Sequence, residues 1–315
     1  MLNMLNPTII KINNLVKDYY GKLAVNDISL EIPESCFALL GPNGAGKTTT
    51  ILMLLGLIKI TSGTAILLDR EIPSDDLKFK SEIGYMPENV GFYPNLTGWD
   101  HLEFYERIRT NSRENGKISQ FLEWCGLEQE YWNKKVRTYS RGMKQRLGLA
   151  QAFIGDPKIV ILDEPLSNID PLGREDLVGK IRQKQKEGIT IIISSHIIQE
   201  IEQIADIIAI INRGRIILAG EMLEIALNNG FHEFEIKCDN LNTDNNLELI
   251  YEEITSSQEL LLEKPLLLRD KIIIKTDSIN TINTLINLFD KRYYLRPIEG
   301  TLMKIYKKAL GDTGK

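Results

Sequence analysis

An α/β fold built on a largely parallel sheet is predicted by three features of the sequence. The apolar stretch "CFALL" (36–40) runs into a glycine-rich loop and then into "TTTILMLLGLI", giving strand, turn and helix in succession. Downstream, "KIVILDEP" and "TIIISSH" are near-continuous runs of Ile, Val and Leu separated by a polar helical stretch, as strands buried on both faces are. Ahead of them, "TIIKINNLVKDYY" and "LAVNDISLEI" alternate apolar and polar residues around a glycine, which predicts an antiparallel β start.

The remaining elements follow in order. "TSGTAILLD" is a strand after a turn, and "SEIGYMPEN" a strand running into a loop. From Thr97 to about Trp132 the period becomes helical: "WDHLEFYERIR" sets Leu102, Tyr105 and Ile108 on one face, and "GKISQFLEWCGL" repeats the spacing. "SRGMKQRLGLAQAFIG" is a further helix with Met143, Leu147 and Ala150 inward. "PLGREDLVGKIRQKQKEG" and "QEIEQIADI" are helices, and "IIAIINRGRIILAG" is a hairpin turning at Arg213-Gly214. Past Met222–Gly230 the character changes to short β-like runs ("FEIKC", "KIIIK"), a polar stretch ("DNLNTDNN") and an amphipathic helix in "INTINTLINLFDKR". A domain boundary is expected near residue 228. It separates 1–228, with a helical subdomain at about 97–155, from a small α+β accessory unit at 229–315.

Composition narrows the function. The chain has 315 residues, 43% hydrophobic and 26% charged, enough for two globular units with real cores. Its net charge of −5 argues against nucleic acid as the main partner. Cys36, Cys125 and Cys238 are odd in number and far apart, so neither a disulfide framework nor a cysteine metal site is expected. No basic-then-apolar leader opens the sequence, and its apolar runs fall far short of the ~20 residues of a membrane span. A cytoplasmic protein is expected, one that meets a membrane only through a partner.

Gly41-Pro42-Asn43-Gly44-Ala45-Gly46-Lys47-Thr48 fits G-x-x-x-x-G-K-[ST]. Glycines let successive backbone N–H groups face one concavity, and the following helix adds its positive end, so the loop suits phosphate. Lys47 is placed for the outer phosphates of a nucleotide and Thr48 for Mg²⁺. A structural glycine turn is the alternative, disfavoured by the flanking strand and helix. Asp163, ending a buried strand, is a metal ligand in waiting, and Glu164 is placed to polarise an attacking water. Alone, such acids are often solvated loop charges. His196 alone is most simply a structural histidine, but beside the other two it is positioned to contact a terminal phosphate. Ser140 and Gly142 open the helix of "YSRGMKQRLGLAQAF", either as an ordinary N-cap or as a second phosphate-binding helix end. A second such end implies a second nucleotide, which two facing copies would supply.

Residues 1 to about 225 resemble the nucleotide-binding subunit of an ABC transporter. That family is a P-loop NTPase with a mostly parallel core sheet, an antiparallel β subdomain and a helical subdomain. Six segments match in order: the loop at 41–48, Pro87-Glu88, "YSRGMKQ", the strand at 159–164, "SNID" at 167–170 and His196. The resemblance implies a head-to-tail homodimer with two ATP molecules between subunits. Each ATP would lie between the Gly41–Thr49 loop of one copy, Thr49 included, and Ser140 and Gly142 of the other, with Asp170 joining the site. Glu164 is then the general base with His196 beside it, and Asp163, Thr48 and Glu88 are the Mg²⁺ set. Tyr19, in preference to Tyr20, stacks on adenine, although both could be strand aromatics.

Three departures from the family pattern stand out. Glu88 replaces a usual Gln, Arg141 and Met143-Lys144 alter the usual Ser-Gly-Gly run, and Asn168-Ile169 replace Gly-Leu. The first two resemble ATPases that serve ABC-2-type exporters. "GYMPENVGFYPNLTGWDHLEFYERIR" is similar to the ATPases encoded with nitrous oxide reductase maturation genes, which implies copper or sulfur-species handling. "RPIEGTLMKIYKKAL" resembles the end of accessory domains in multidrug and gliding-type ABC-2 ATPases. The implied function is ATP hydrolysis at the cytoplasmic face, driving export through a separate ABC-2-type permease. The alternative is a non-transport relative acting on ribosomes or DNA. Such proteins usually carry two ATPase halves or a long coiled coil, and neither is visible here. A plain kinase or GTPase would have no use for "YSRGMKQRLGLAQA".

Overall fold

Alternating side chains shape the first sheet. In the computed structural model, which describes residues 7–110, 115–167, 169–238, 244–256, 261–288 and 293–311, β1 (Thr8–Tyr19) and β2 (Lys22–Pro33) pair antiparallel across the Tyr20-Gly21 turn. β3 (Cys36–Leu40), buried at every position, leads through the glycine loop into α1 (Lys47–Leu54). β4 (Ser62–Leu67) and β5 (Arg70–Glu71) return to the first sheet, whose order is β2-β1-β4-β5. The predicted antiparallel start is therefore one part of a four-stranded sheet.

The short α2 (Leu77–Ser81), capped by the Asp76 carboxylate, delivers β6 (Ile83–Met86). Three helices follow, α3 (Gly98–Thr110), α4 (Asn115–Trp124) and α5 (Arg141–Phe153). The buried face of α3 differs from expectation. His101, Leu102 and Glu106 are buried, whereas Ile108 is 64% exposed. Arg109 closes the face instead: its guanidinium donates to Ile154 O (2.8 Å) and Ser81 O (3.1 Å), an apolar stem with a polar end that Ile108 cannot offer.

The chain then alternates through β7 (Ile159–Asp163), α6 (Pro171–Lys186), β8 (Thr190–Ser195), α7 (Ile198–Ile204), β9 (Ile207–Asn212) and β10 (Arg215–Glu221). The central sheet has the order β10-β9-β3-β8-β7-β6, parallel except for β10. Its strands feed two cores, as the period of two requires. Ile159 and Ile161 face the antiparallel sheet, and Val160 and Leu162 face α6 and α7.

After α8 (Met222–Asn228) come β11 (Glu233–Cys238), α9 (Asp244–Ser256), β12 (Leu266–Leu267), β13 (Lys271–Lys275), α10 (Ile279–Leu288), β14 (Tyr293–Pro297) and α11 (Thr301–Leu310). These form an antiparallel sheet of order β12-β13-β11-β14 backed by helices. α9 was not anticipated from the sequence, although Leu247, Ile250 and Ile254 mark its buried face at helical spacing. The core of α6 and α7 runs without a break into Phe234, Ile272 and Leu302. Asn168 and residues 239–243 and 289–292, which carried sequence expectations, lie outside the described residues. Cys36 and Cys125 are buried free thiols. No helix among the described residues is long and apolar enough to cross a membrane.

Candidate active site

The sheet order brings the motifs together. β3, β8, β7 and β6 are consecutive neighbours, so the residues after them emerge along one edge. The register pairs Leu40 with Ser195, Asp163 with Ser194 and Met86 with Leu162. Gly41, His196, Glu164 and Glu88 thus leave the carboxyl ends of adjacent strands, where ligands of parallel α/β sheets bind.

The loop is held from outside. Gly46 caps α1 at φ 112°, and a Cβ there would fall 2.5 Å from Ala24 O, so no other residue fits. Behind the loop, the β9–β10 turn donates from Gly214 N to Ala45 O (2.8 Å), and Gly214 O accepts from Asn26 N (2.8 Å). This turn, visible in the sequence only as a hairpin, ties the loop to both large sheets. Gly41, Pro42, Asn43, Gly44 and Ala45 form the bend, Thr50 Oγ1 donates to Gly46 O (2.9 Å), and Thr48 and Thr49 open the helix.

At the centre lies a chain of charged groups. Lys47, 5% exposed, donates to Gly41 O (2.7 Å) and Pro42 O (3.4 Å), and its Nζ lies 3.1 Å from Glu164 Oε1 as an ion pair. The other carboxylate oxygen of Glu164 contacts His196 Nδ1 at 2.8 Å. Glu164 sits at φ 50°, a left-handed conformation uncommon for a residue with a side chain. Ser194 holds it there, its carbonyl and hydroxyl both accepting from Glu164 N at 3.1 Å, while its hydroxyl also donates to Asp163 Oδ1. Gln145 supports the next peptide, donating to Pro165 O (2.7 Å) and Glu164 O (3.3 Å). Ser194 and Gln145 were not singled out in the sequence. The signals were the "SSH" run and the last residue of "YSRGMKQ".

The donor set fits Mg²⁺. Asp163 Oδ2 is buried and has no hydrogen-bond partner, a cost that a hard cation removes. Thr48 is exposed at the first turn of α1, its hydroxyl available as a second oxygen. Glu88 is exposed just past the end of β6, the strand beside β7. Nearby, burial raises Glu200 to about 7; Arg174 opposes this shift and the Glu164 charge adds to it. The Arg174 guanidinium lies 3.3 Å from Glu200 Oε1 and donates to Ile169 O (2.8 Å).

The other expected residues make contacts of their own. Tyr19 ends β1, 43% exposed with the Lys17 ammonium 4.8 Å over its ring, and Tyr20 projects fully from the turn. Ser140 caps α5, accepting from Met143 N (3.2 Å), and is exposed, while around Gly142 there is open space. Asp170 caps α6 through Gly173 N (2.9 Å). One helix therefore presents its open amino end to solvent while its Gln145 grips the acidic strand end.

A parallel sheet with a glycine loop, a buried lysine and a strand-end Asp-Glu pair at one edge defines a P-loop NTPase. The family model described as ABC transporter matches residues 25–167. An uncharacterised ABC transporter ATP-binding protein of Synechocystis is 42% identical over 205 residues, covering 64% of this chain and 57% of that one. The bacitracin transport ATP-binding protein BcrA of Enterococcus faecalis is 37% identical over 236 residues, 74% of this chain and 76% of that one. In three dimensions the chain matches the ATP-binding cassette MJ0796, solved as a dimer in a post-hydrolysis state with ADP and Pi. The TM-score is 0.64 at 21% identity, over 67% of this chain and 98% of that one, a likeness of fold. The chain belongs to the ABC transporter family as an ATP-binding subunit, and its reaction is ATP hydrolysis.

Proposed function

We propose that two copies of this chain close head to tail around two ATP molecules, and that hydrolysis drives export through a separate ABC-2-type permease at the cytoplasmic face of a membrane. The observation that carries this reading is the split of the site. Lys47, Glu164 and His196 converge at one edge of the sheet, while the open amino end of α5 at Ser140 and Gly142 faces solvent in the same chain.

In this reading Gly41–Thr49 cradles the phosphates, and Lys47 leaves Glu164 to meet them. Glu164, freed of that pair, takes the proton of the attacking water, and His196 orients the water and terminal phosphate. Asp163 and Thr48, with Glu88 from the next strand, hold Mg²⁺, which neutralises charge on the phosphate oxygens when bound. Tyr19 stacks on the base, and Ser140, Gly142 and Asp170 act across the dimer. The chain divides functionally into an ATPase unit (1–228, helical subdomain about 97–155) and an accessory unit (229–315). The helices of 97–132 and the Glu88 loop carry the motion to the permease. For cargo, the likeness to BcrA favours a bacitracin-like antibiotic over the copper or sulfur species implied by the nitrous oxide reductase resemblance. Expression with its permease is then expected to raise bacitracin resistance.

The composite site is tested by mixing two inactive variants, Lys47→Ala and Ser140→Arg. Head-to-tail pairing gives heterodimers with one intact site, so an equal mixture recovers about a quarter of wild-type ATPase. No recovery on mixing overturns the shared site. Affinity purification of Glu164→Gln from solubilised membranes with ATP should bring a polytopic membrane protein. Ribosomes or DNA-bound proteins in its place favour the non-transport alternative.

A further inference from the structure

The helix that follows the histidine is gripped by the last part of the chain. α7 starts two residues after His196, and the intervening turn is fixed by Ser195 Oγ accepting from Ile197 N (2.9 Å). At the other end of α7, the carbonyls of Ile204 and Ala205 have no helical partner ahead of them. Arg296 of β14, 7% exposed, fills that gap: its guanidinium donates to Ile204 O (3.1 Å), to Ala205 O, and to Asp206 Oδ1 (3.0 Å). A cation at a helix carboxyl end also meets the favourable end of the helix dipole.

The exchange runs the other way as well. α11 begins after Gly300, which has no side chain to cap it. Glu202, on α7, supplies the cap across 98 residues of sequence, accepting from Gly300 N (2.9 Å) and Leu302 N (2.8 Å). Glu202 is 5% exposed, so both charged groups are buried, and each bonds groups of the opposite segment. Besides the core face of Ile198, Ile201 and Ile204, α7 meets Arg174 through Glu200, and Arg174 holds Ile169 O beside Asp170. One two-turn helix therefore connects the histidine, the "SNID" segment and the C-terminal segment.

We propose that Arg296 and Glu202 are positioning residues for hydrolysis: by fixing α7 they set where His196 stands against Glu164, so the C-terminal segment controls the rate of ATP cleavage without touching ATP. This rests on the reading of His196 as a hydrolytic residue. A merely structural brace would affect stability alone or every kinetic constant together. Control through α7 affects kcat and leaves the P-loop's hold on ATP unchanged, because Lys47 and the loop are secured by a separate set of contacts, the β9–β10 turn among them.

The test is steady-state hydrolysis of radiolabelled ATP by the full chain, with melting temperature as the check on folding. Arg296→Met is expected to lower kcat about tenfold, within the roughly 2- to 30-fold that coupling through one element carries, with KM for ATP nearly unchanged. Arg296→Lys restores part of the rate, since it keeps the charge and loses the fork. In the His196→Ala background, Arg296→Met lowers the residual rate no further. A folded Arg296→Met with wild-type kcat overturns the proposal, as does an equal loss in both backgrounds. Where Arg296→Met does not fold, Glu202→Gln carries the same expectations and the same refutations. If His196→Ala alone hydrolyses at the wild-type rate, the assignment of His196 is what fails, and that single variant shows it.

Discussion

Replacing Glu164 by Gln separates two jobs that one carboxylate performs. In the structure it neutralises Lys47 at 3.1 Å, with both side chains 6% exposed. In the proposed hydrolysis it is the base. Gln keeps an oxygen for Lys47 and a partner for His196 but cannot take a proton. Loss of a general base costs about 100- to 10,000-fold in rate, about 3–5 kcal/mol on the barrier. Binding should move the opposite way. An incoming phosphate must draw Lys47 from Glu164, and although the bare Coulomb attraction is large, desolvation leaves such a pair worth far less. If about 1 kcal/mol of that pair must be broken, the amide variant binds ATP about fivefold more tightly. The assays are phosphate release in a coupled reaction and equilibrium titration with a fluorescent ATP analogue, both with Mg²⁺. A variant within threefold of wild-type kcat would refute the role of base, and weaker ATP binding would refute the competition for Lys47.

Three further predictions concern the scaffold. Gly84→Ala places a Cβ 2.0 Å from Ala152 O, forcing α5 off β6, so it should cost about 1–3 kcal/mol of stability in chemical denaturation. ATPase should fall with it, because Gln145 and Ser140 move with α5. Ser194→Ala removes the hydroxyl shared by Asp163 and Glu164 N, leaving a second buried Asp163 oxygen without a partner; a loss of about 1–3 kcal/mol is expected, with weaker dependence on added Mg²⁺. Glu200 titrates at about 7 in the folded chain against 4.5 for the free side chain. Its folded pKa is raised, so its contribution to stability is complete below pH 4.5 and is lost as pH climbs through 7. Melting temperature measured across this range should fall less steeply for Glu200→Gln than for wild type.

The parts of the site that chemistry constrains locally were legible in the sequence. A phosphate cradle needs its glycines, lysine and threonine at fixed spacing, and a buried strand ending in Asp163-Glu164 announces itself by composition. What the sequence concealed are contacts between distant positions. Nothing in "NRG" says that Gly214 bonds Ala45, and nothing in "RPIEG" says that Arg296 ends a helix ninety residues earlier. The error at Ile108 has the same origin: apolar periodicity could not foresee that Arg109 would find carbonyls of two other elements to satisfy it. α9 differs: Leu247, Ile250 and Ile254 stand at helical spacing in the sequence, directly after a polar stretch that carries no helix signal of its own.

The Arg213-Gly214 turn has a practical consequence for anyone who labels this protein. An exposed arginine at the tip of a two-residue hairpin is the kind of place chosen for a fluorophore or an inserted tag. Here the residue behind that tip is a rivet between the nucleotide loop and the outer sheet. A probe on the Arg213 side chain leaves the rivet in place, whereas an insertion between 213 and 214 pulls it out, and a reporter built that way would record its own damage as lost affinity for ATP.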